Sequence, residues 1–192
     1  MPAPTADRIA TAALHILERE GPEAVSMRKV AQAVGITPMA IYHHFPSRAA
    51  LLQTITDREF QTLVAAFDAS IARGAPETRL LRLMDNYVDY ALEHPRIFDY
   101  VFSQYRTGAR RFPDDFYARR SPTLNRVADT VDEAMRQGRL RKDDVWEVAL
   151  EFWAHAHGYI TLYRAGRFSL AEAQFRRLYR RSLRRLLDGL KG

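Results

Sequence analysis

The chain is 192 residues long, with 47% hydrophobic and 27% charged side chains, enough to bury a sizeable core. It has no cysteine, which excludes a disulfide scaffold, a Cys-ligated zinc site and a thiol nucleophile. The formal net charge is +6, and the excess sits in residues 164–192, which carry nine basic and two acidic side chains. A basic chain points to a polyanionic partner, but 26 of the 29 basic residues are Arg, a bias too uniform to mark a site. The N-terminal segment lacks the apolar core of a signal peptide. Phe152–Tyr163, the longest uncharged run of apolar character, is 12 residues and too short to span a bilayer. The expectation is a cytoplasmic protein without membrane contact.

In chain order, Ile9, Ala13, Ile16 and Leu17 share one face of a helix near Ala6–Glu20, which Gly21 ends. Ser26 is placed to cap a short helix with the stripe Met27, Val30, Ala31 and Val34, stopped by Gly35. Thr37 then caps a second short helix that Pro38 opens. One helix is expected over Ser47–Arg73, with Leu52, Ile55, Leu63, Phe67 and Ile71 inward, as the only covalent route between the two domains. Leu80, Met84, Tyr87, Val88 and Ala91 repeat the helical period, and Pro95 both ends one helix and opens the next.

Residues 106–122 are the least regular, and Ser121-Pro122 then opens a helix whose stripe is Leu124, Val127, Ala128, Val131 and Met135. Asp144 with Glu147, and Ser169 with Glu172, have capping-box spacing. The last helix divides into an apolar half and an Arg half. No alternating apolar/polar run is bounded by hairpin turns, so the fold class is all-α, about nine helices with short connections.

Residues 26–48 carry the strongest signal. Two short helices joined by Gly35, Ile36 and Thr37 make a helix-turn-helix, whose second helix lays its N-terminal residues against base edges. From near Ala6 to Leu52 the chain resembles the DNA-binding domain of TetR-family transcriptional regulators. The residues that carry the likeness are Val30-Ala31, Val34-Gly35-Ile36-Thr37, Ile41-Tyr42-His43-His44-Phe45, Ser47-Arg48 and Leu51-Leu52. Two positions depart from the family's habit: Met39, where Gly is common, and Arg48, where Lys is usual. The resemblance implies a three-helix DNA-binding domain over residues 1–48 and a helical ligand-binding and dimerisation domain over 49–192. It also implies a homodimeric repressor, released from a palindromic operator by a small-molecule effector. The expected DNA-binding residues are Ser26, Arg28, Lys29, Thr37, Pro38, Met39, Tyr42, His43, His44 and Arg48. The recognition helix itself contains no Lys or Arg, so Arg28, Lys29 and Arg48 are expected to hold the backbone while Thr37, Pro38, Met39 and His43 face bases.

In the rest of the chain, aromatic residues at helical spacing suit a core or a small-molecule pocket. Tyr87, Tyr90, Phe98, Phe102, Tyr105, Trp153 and His157 are the expected ligand-binding residues. Trp153, His157 and Gly158 resemble a Trp-X-X-X-His-Gly signature found in one subgroup of TetR-family C-terminal domains. Gly158, inside a helix, suggests close helix–helix approach. The resemblance puts the last two long helices in a dimer interface, with Gly158, Phe175, Leu178, Tyr179 and Leu186 as candidates. The alternative is a helical metal- or small-molecule-sequestering protein without DNA binding, built on the stripe Glu147, Glu151 and His155. No Glu-X-X-His, Gly-rich phosphate loop or Gly-X-Ser-X-Gly occurs, so neither catalysis, a metal nor a cofactor is expected.

Overall fold

The computed structural model describes residues 5–105 and 108–191, which hold ten α-helices and no strand. Residues 106 and 107 of the irregular stretch lie outside the described residues. Packing divides the chain into two compact units. One takes the chain through Gln61 together with a stretch beginning at Leu92, and the other takes Thr62–Ala91 and the remainder.

The first unit contains α1 (Thr5–Glu20), a 3-10 turn at Pro22–Ala24, α2 (Met27–Val34), α3 (Pro38–Tyr42) and the start of α4 (Arg48–Ser70). Ile9, Ala13, Leu17, Val25, Val30, Ile41, Leu51 and Ile55 form its core, each almost wholly buried. Apart from Val25, in the turn before α2, these are positions that the helical period singles out on α1 and α2, together with the inward residues of the following helices. The unit also includes α6 (Pro95–Phe98) and a π turn at Asp99–Ser103, closed by the Gln104 N–H on the Asp99 carbonyl at 3.0 Å. The imidazole of His94 meets the Glu18 carboxylate at 3.1 Å, and Arg96 donates to the Glu18 carbonyl at 2.9 Å, so this stretch is fastened to the end of α1.

The second unit holds the end of α4, most of α5 (Pro76–Glu93), α7 (Asp114–Tyr117), α8 (Pro122–Arg136), α9 (Val145–Arg164) and α10 (Glu172–Gly189). The single-turn helices α6 and α7 bring the count to ten. Asp144 caps α9 by accepting from the Trp146 and Glu147 N–H groups. Ser169 does not cap α10; the helix begins two residues later than its spacing suggests, and the Gln174 side chain accepts from the Ala171 N–H. Arg126 of α8 holds Asp68 of α4 through two hydrogen bonds, of 2.5 and 3.0 Å. Arg176 and Arg180 of α10 pair with Asp89 and Asp85 of α5.

The unit's centre is aromatic. Phe175 stacks on Tyr163 with ring centroids 4.0 Å apart, and the Tyr179 hydroxyl donates to the Met84 carbonyl at 2.7 Å. His155 turns to α10, where its Nε2 meets the Ser182 hydroxyl at 3.0 Å. That hydroxyl donates to the Tyr179 carbonyl at 2.8 Å, so it accepts from His155, and the imidazole carries a proton on Nε2.

The division of packing differs from the domain boundary at residue 48 in the sequence reading. The start of α4 belongs with the helix-turn-helix because Leu51, Leu52 and Ile55 complete its core. Nor is α4 the only covalent route: the chain crosses between the units within α4, again within α5, and a third time beyond the π turn.

Two measurements check this packing. Phe175→Ala removes a fully buried ring and should destabilise the protein by about 3–5 kcal/mol, against about 1 kcal/mol for Tyr179→Phe, in denaturant titrations. Burial holds the His155 pKa below its ordinary 6.5. The unfolded chain therefore takes up this proton at a higher pH than the folded one, and the contribution of neutral His155 is present above about pH 6.5 and lost as pH falls. The fall in melting temperature between about pH 7 and pH 5 should be shallower in His155→Gln.

Candidate nucleic-acid interface and effector site

The geometry of the helix-turn-helix is set at Gly35. Its φ of 77° lies in the left-handed region, and its N–H closes on Ala31 and Gln32 while the Ile36 N–H closes on Ala31. This is a Schellman ending, and its left-handed φ favours glycine at that point. Ile36 is half-buried and Thr37 accepts from the Ala40 N–H at 3.2 Å, so α3 starts where Pro38 permits it. Ile41 anchors the inner side of α3 with no exposed surface, and buried Phe45 closes the turn behind it.

The outer side carries Met39, 70% exposed, and Tyr42, 49% exposed, and exposed His43 and His44 follow the helix. Ser26 caps α2 through the Lys29 N–H at 3.2 Å. Arg28 is exposed and its side chain has no hydrogen-bond partner among the described residues. Arg28 on α2, Pro38, Met39 and Tyr42 on α3, and His43 and His44 directly after α3 are all exposed.

Two expected DNA cations are engaged inside the chain. Lys29 forms an ion pair with Glu20 of α1. Arg48 donates from Nε to the Val25 carbonyl at 2.6 Å and from a terminal nitrogen to the Pro22 carbonyl at 2.5 Å. Arg48 is therefore a staple that fastens the start of α4 to the turn before α2. No sequence pattern marks this staple, because its partners are backbone carbonyls more than twenty residues away and carry no side-chain signal.

In the second unit, Tyr87, Trp153 and His157 come together. The Trp153 indole N–H donates to the Tyr87 hydroxyl at 2.9 Å, and that hydroxyl lies 3.0 Å from His157 Nδ1. Indole nitrogen is only a donor, so the Tyr87 oxygen accepts from Trp153. Burial drives the Tyr87 phenol pKa far above its ordinary value. Phe116, absent from the candidates, packs on Trp153 with centroids 6.2 Å apart; it lies on the short helix α7, where no helical period was long enough to read. Tyr90 is buried on α5 in the same unit.

Phe98 and Phe102 pack with each other and Phe102 with Phe60, all within the first unit, and Tyr105 is 86% exposed. Phe175 and Tyr179, taken from the sequence as dimer contacts, have no exposed surface and belong to the unit's own core. Gly158, Leu178 and Leu186 keep accessible surface. A Cβ built on Gly158 meets no atom of the described chain within 4 Å, so no helix of this chain presses on it. Glu147, Glu151 and His155 do not form a metal cluster; His155 is turned to Ser182, and no group of three potential ligands converges among the described residues.

A short exposed helix held by a glycine turn, a cap and a buried isoleucine, on a chain with a separate aromatic-cored helical unit, defines a helix-turn-helix regulator. Comparison with known proteins gives the family. Residues 9–55 match "Bacterial regulatory proteins, tetR family", and residues 80–186 match "Tetracyclin repressor-like, C-terminal domain". The chain is 30% identical over 157 residues to the HTH-type transcriptional repressor KstR of Mycolicibacterium smegmatis, covering 76% of this chain and 74% of that one. The solved structure of a protein of unknown function from Rhodococcus sp. RHA1 superposes with a TM-score of 0.84 at 23% identity over 100% of this chain and 97% of that one. FadR from Bacillus subtilis in complex with stearoyl-CoA gives 0.76 at 14% identity over 95% and 98%. The chain belongs to the TetR family of transcriptional regulators. Among the described residues no helix is long and apolar enough to cross a membrane.

The two cations separate by experiment. Arg28→Ala should leave stability unchanged and reduce the salt dependence of DNA binding by about one counterion. Arg48→Ala should lower stability by about 1–2 kcal/mol and weaken binding with the salt slope unchanged. A unit change in slope with intact stability for Arg48→Ala would return it to the phosphate backbone.

Proposed function

We propose that the protein is a cytoplasmic, homodimeric repressor that binds a palindromic operator through α3 and its flanks and is released by a small-molecule effector held in the second unit. The observation that carries this reading is the exposed pair Met39 and Tyr42 on a helix whose inner side is fixed by Ile41, with exposed His43 and His44 directly after it. KstR is a transcriptional repressor, which supports the sign of the regulation.

A second copy is supported by the outer surface of α9 and α10. Ala154 is exposed, Gly158 is open, Leu162 is 48% exposed, and Leu178 and Leu186 keep accessible surface. Small and apolar residues on adjacent helices suit close packing against a copy of the same pair. The effector reading rests on the Tyr87–Trp153–His157 cluster, an apolar wall with a few oriented polar groups, the usual make-up of a small-molecule site.

Selection from random duplex DNA should return an inverted repeat whose half-sites lie about one helical turn, ~34–36 Å, apart, and sedimentation should give a dimer. An effector acts only by binding the DNA-incompetent arrangement more tightly. Operator DNA should then weaken effector binding by the same factor as effector weakens DNA binding, about 5–150-fold. A monomer, or selection that yields no symmetric site, would refute the reading.

A further inference from the structure

We propose that Met39 is the specificity-determining residue of the helix-turn-helix, and that it selects a thymine in each half-site by contact with the base's C5 methyl group. The inference rests on the reading that α3 enters an operator.

The direct hydrogen-bonding code of the major groove is read chiefly by Arg or Lys on guanine and by Asn or Gln on adenine. Residues Pro38–Tyr42 contain none of these four types. The Thr37 oxygen already serves as the cap of α3, accepting from the Ala40 N–H, and Ile41 is turned wholly into the core. Met39 stands in the first turn of the helix, the end that approaches base edges. Among the described residues of the first unit it is the one large aliphatic side chain left exposed.

Tyr42 and His43 follow it at three and four residues, and so lie on the same side of the helix. Their polar ends can bond phosphate or base. Met39 cannot, and the apolar feature presented to the major groove by a base pair is the thymine methyl. A flexible, unbranched thioether adapts to that shape without demanding one rotamer. The chemistry of the residue and its position therefore favour the same base.

The experiment starts from the operator selected by the wild-type protein. Each thymine is replaced in turn by deoxyuridine, which removes only the methyl, and affinity is measured for wild type, Met39→Leu and Met39→Ala. At one thymine per half-site the wild type should lose about fourfold, the effect of one buried methyl-sized group. Met39→Leu should show a similar loss, and Met39→Ala should bind the two duplexes equally. Tolerance of deoxyuridine at every thymine by the wild type, or an equal loss in Met39→Ala, overturns the assignment while leaving operator binding intact. If the wild type selects no duplex at all, the operator reading falls and the Met39 assignment falls with it.

Discussion

A helix of five residues cannot hold itself together in water, because nucleation consumes more conformational entropy than one turn of hydrogen bonds returns. The orientation of α3, and with it any contact to DNA, is imposed entirely by its neighbours. Gly35 fixes the direction in which the chain leaves α2, Thr37 supplies the cap, and Ile41 and Phe45 bury the inner side. Arg48 closes the arrangement by drawing the start of α4 to the carbonyls of Pro22 and Val25. The residues left exposed on α3 are those that none of these constraints uses.

The second unit solves a different problem. Its core is aromatic and its surface is rich in Arg, so charge must be placed as carefully as volume. Arg176 and Arg180 are matched by Asp89 and Asp85 across the α10–α5 contact, and Arg126 by Asp68 across α8 and α4. Pairs this exposed contribute little stability each, but they fix which face of α10 turns to α5. Arg177, Arg181, Arg184 and Arg185 are exposed and have no hydrogen-bond partner among the described residues. The net charge of the tail is thus part packing device and part solvated surface. Inside the unit, the Tyr87 hydroxyl bonds both Trp153 and His157, which orients His157 more firmly than packing alone would.

Regulation in such a molecule has more than one covalent path. The helix α4 passes from one unit to the other, and the chain returns through α5 to the stretch that His94 and Arg96 fasten to Glu18 of α1. Any account of how an effector acts has to treat that returning stretch as well as α4.

Much of this was legible in the sequence because it is local. Gly35, Thr37-Pro38, the stripe of Met27, Val30 and Ala31, and the Asp144 cap all act within one or two helical turns, so residue order determines them. The opposite faces of His155 and His157 follow from helical spacing in the same way, and the structure sends them to Ser182 and Tyr87. Tertiary structure alone decided that Arg48 and Lys29 bond within the chain, that Phe175 and Tyr179 are core, that Phe116 joins Trp153, and that the start of α4 packs with the helix-turn-helix. Each of these depends on a partner distant in sequence. Periodicity tells which face of a helix is apolar, and only the packed chain determines what that face meets.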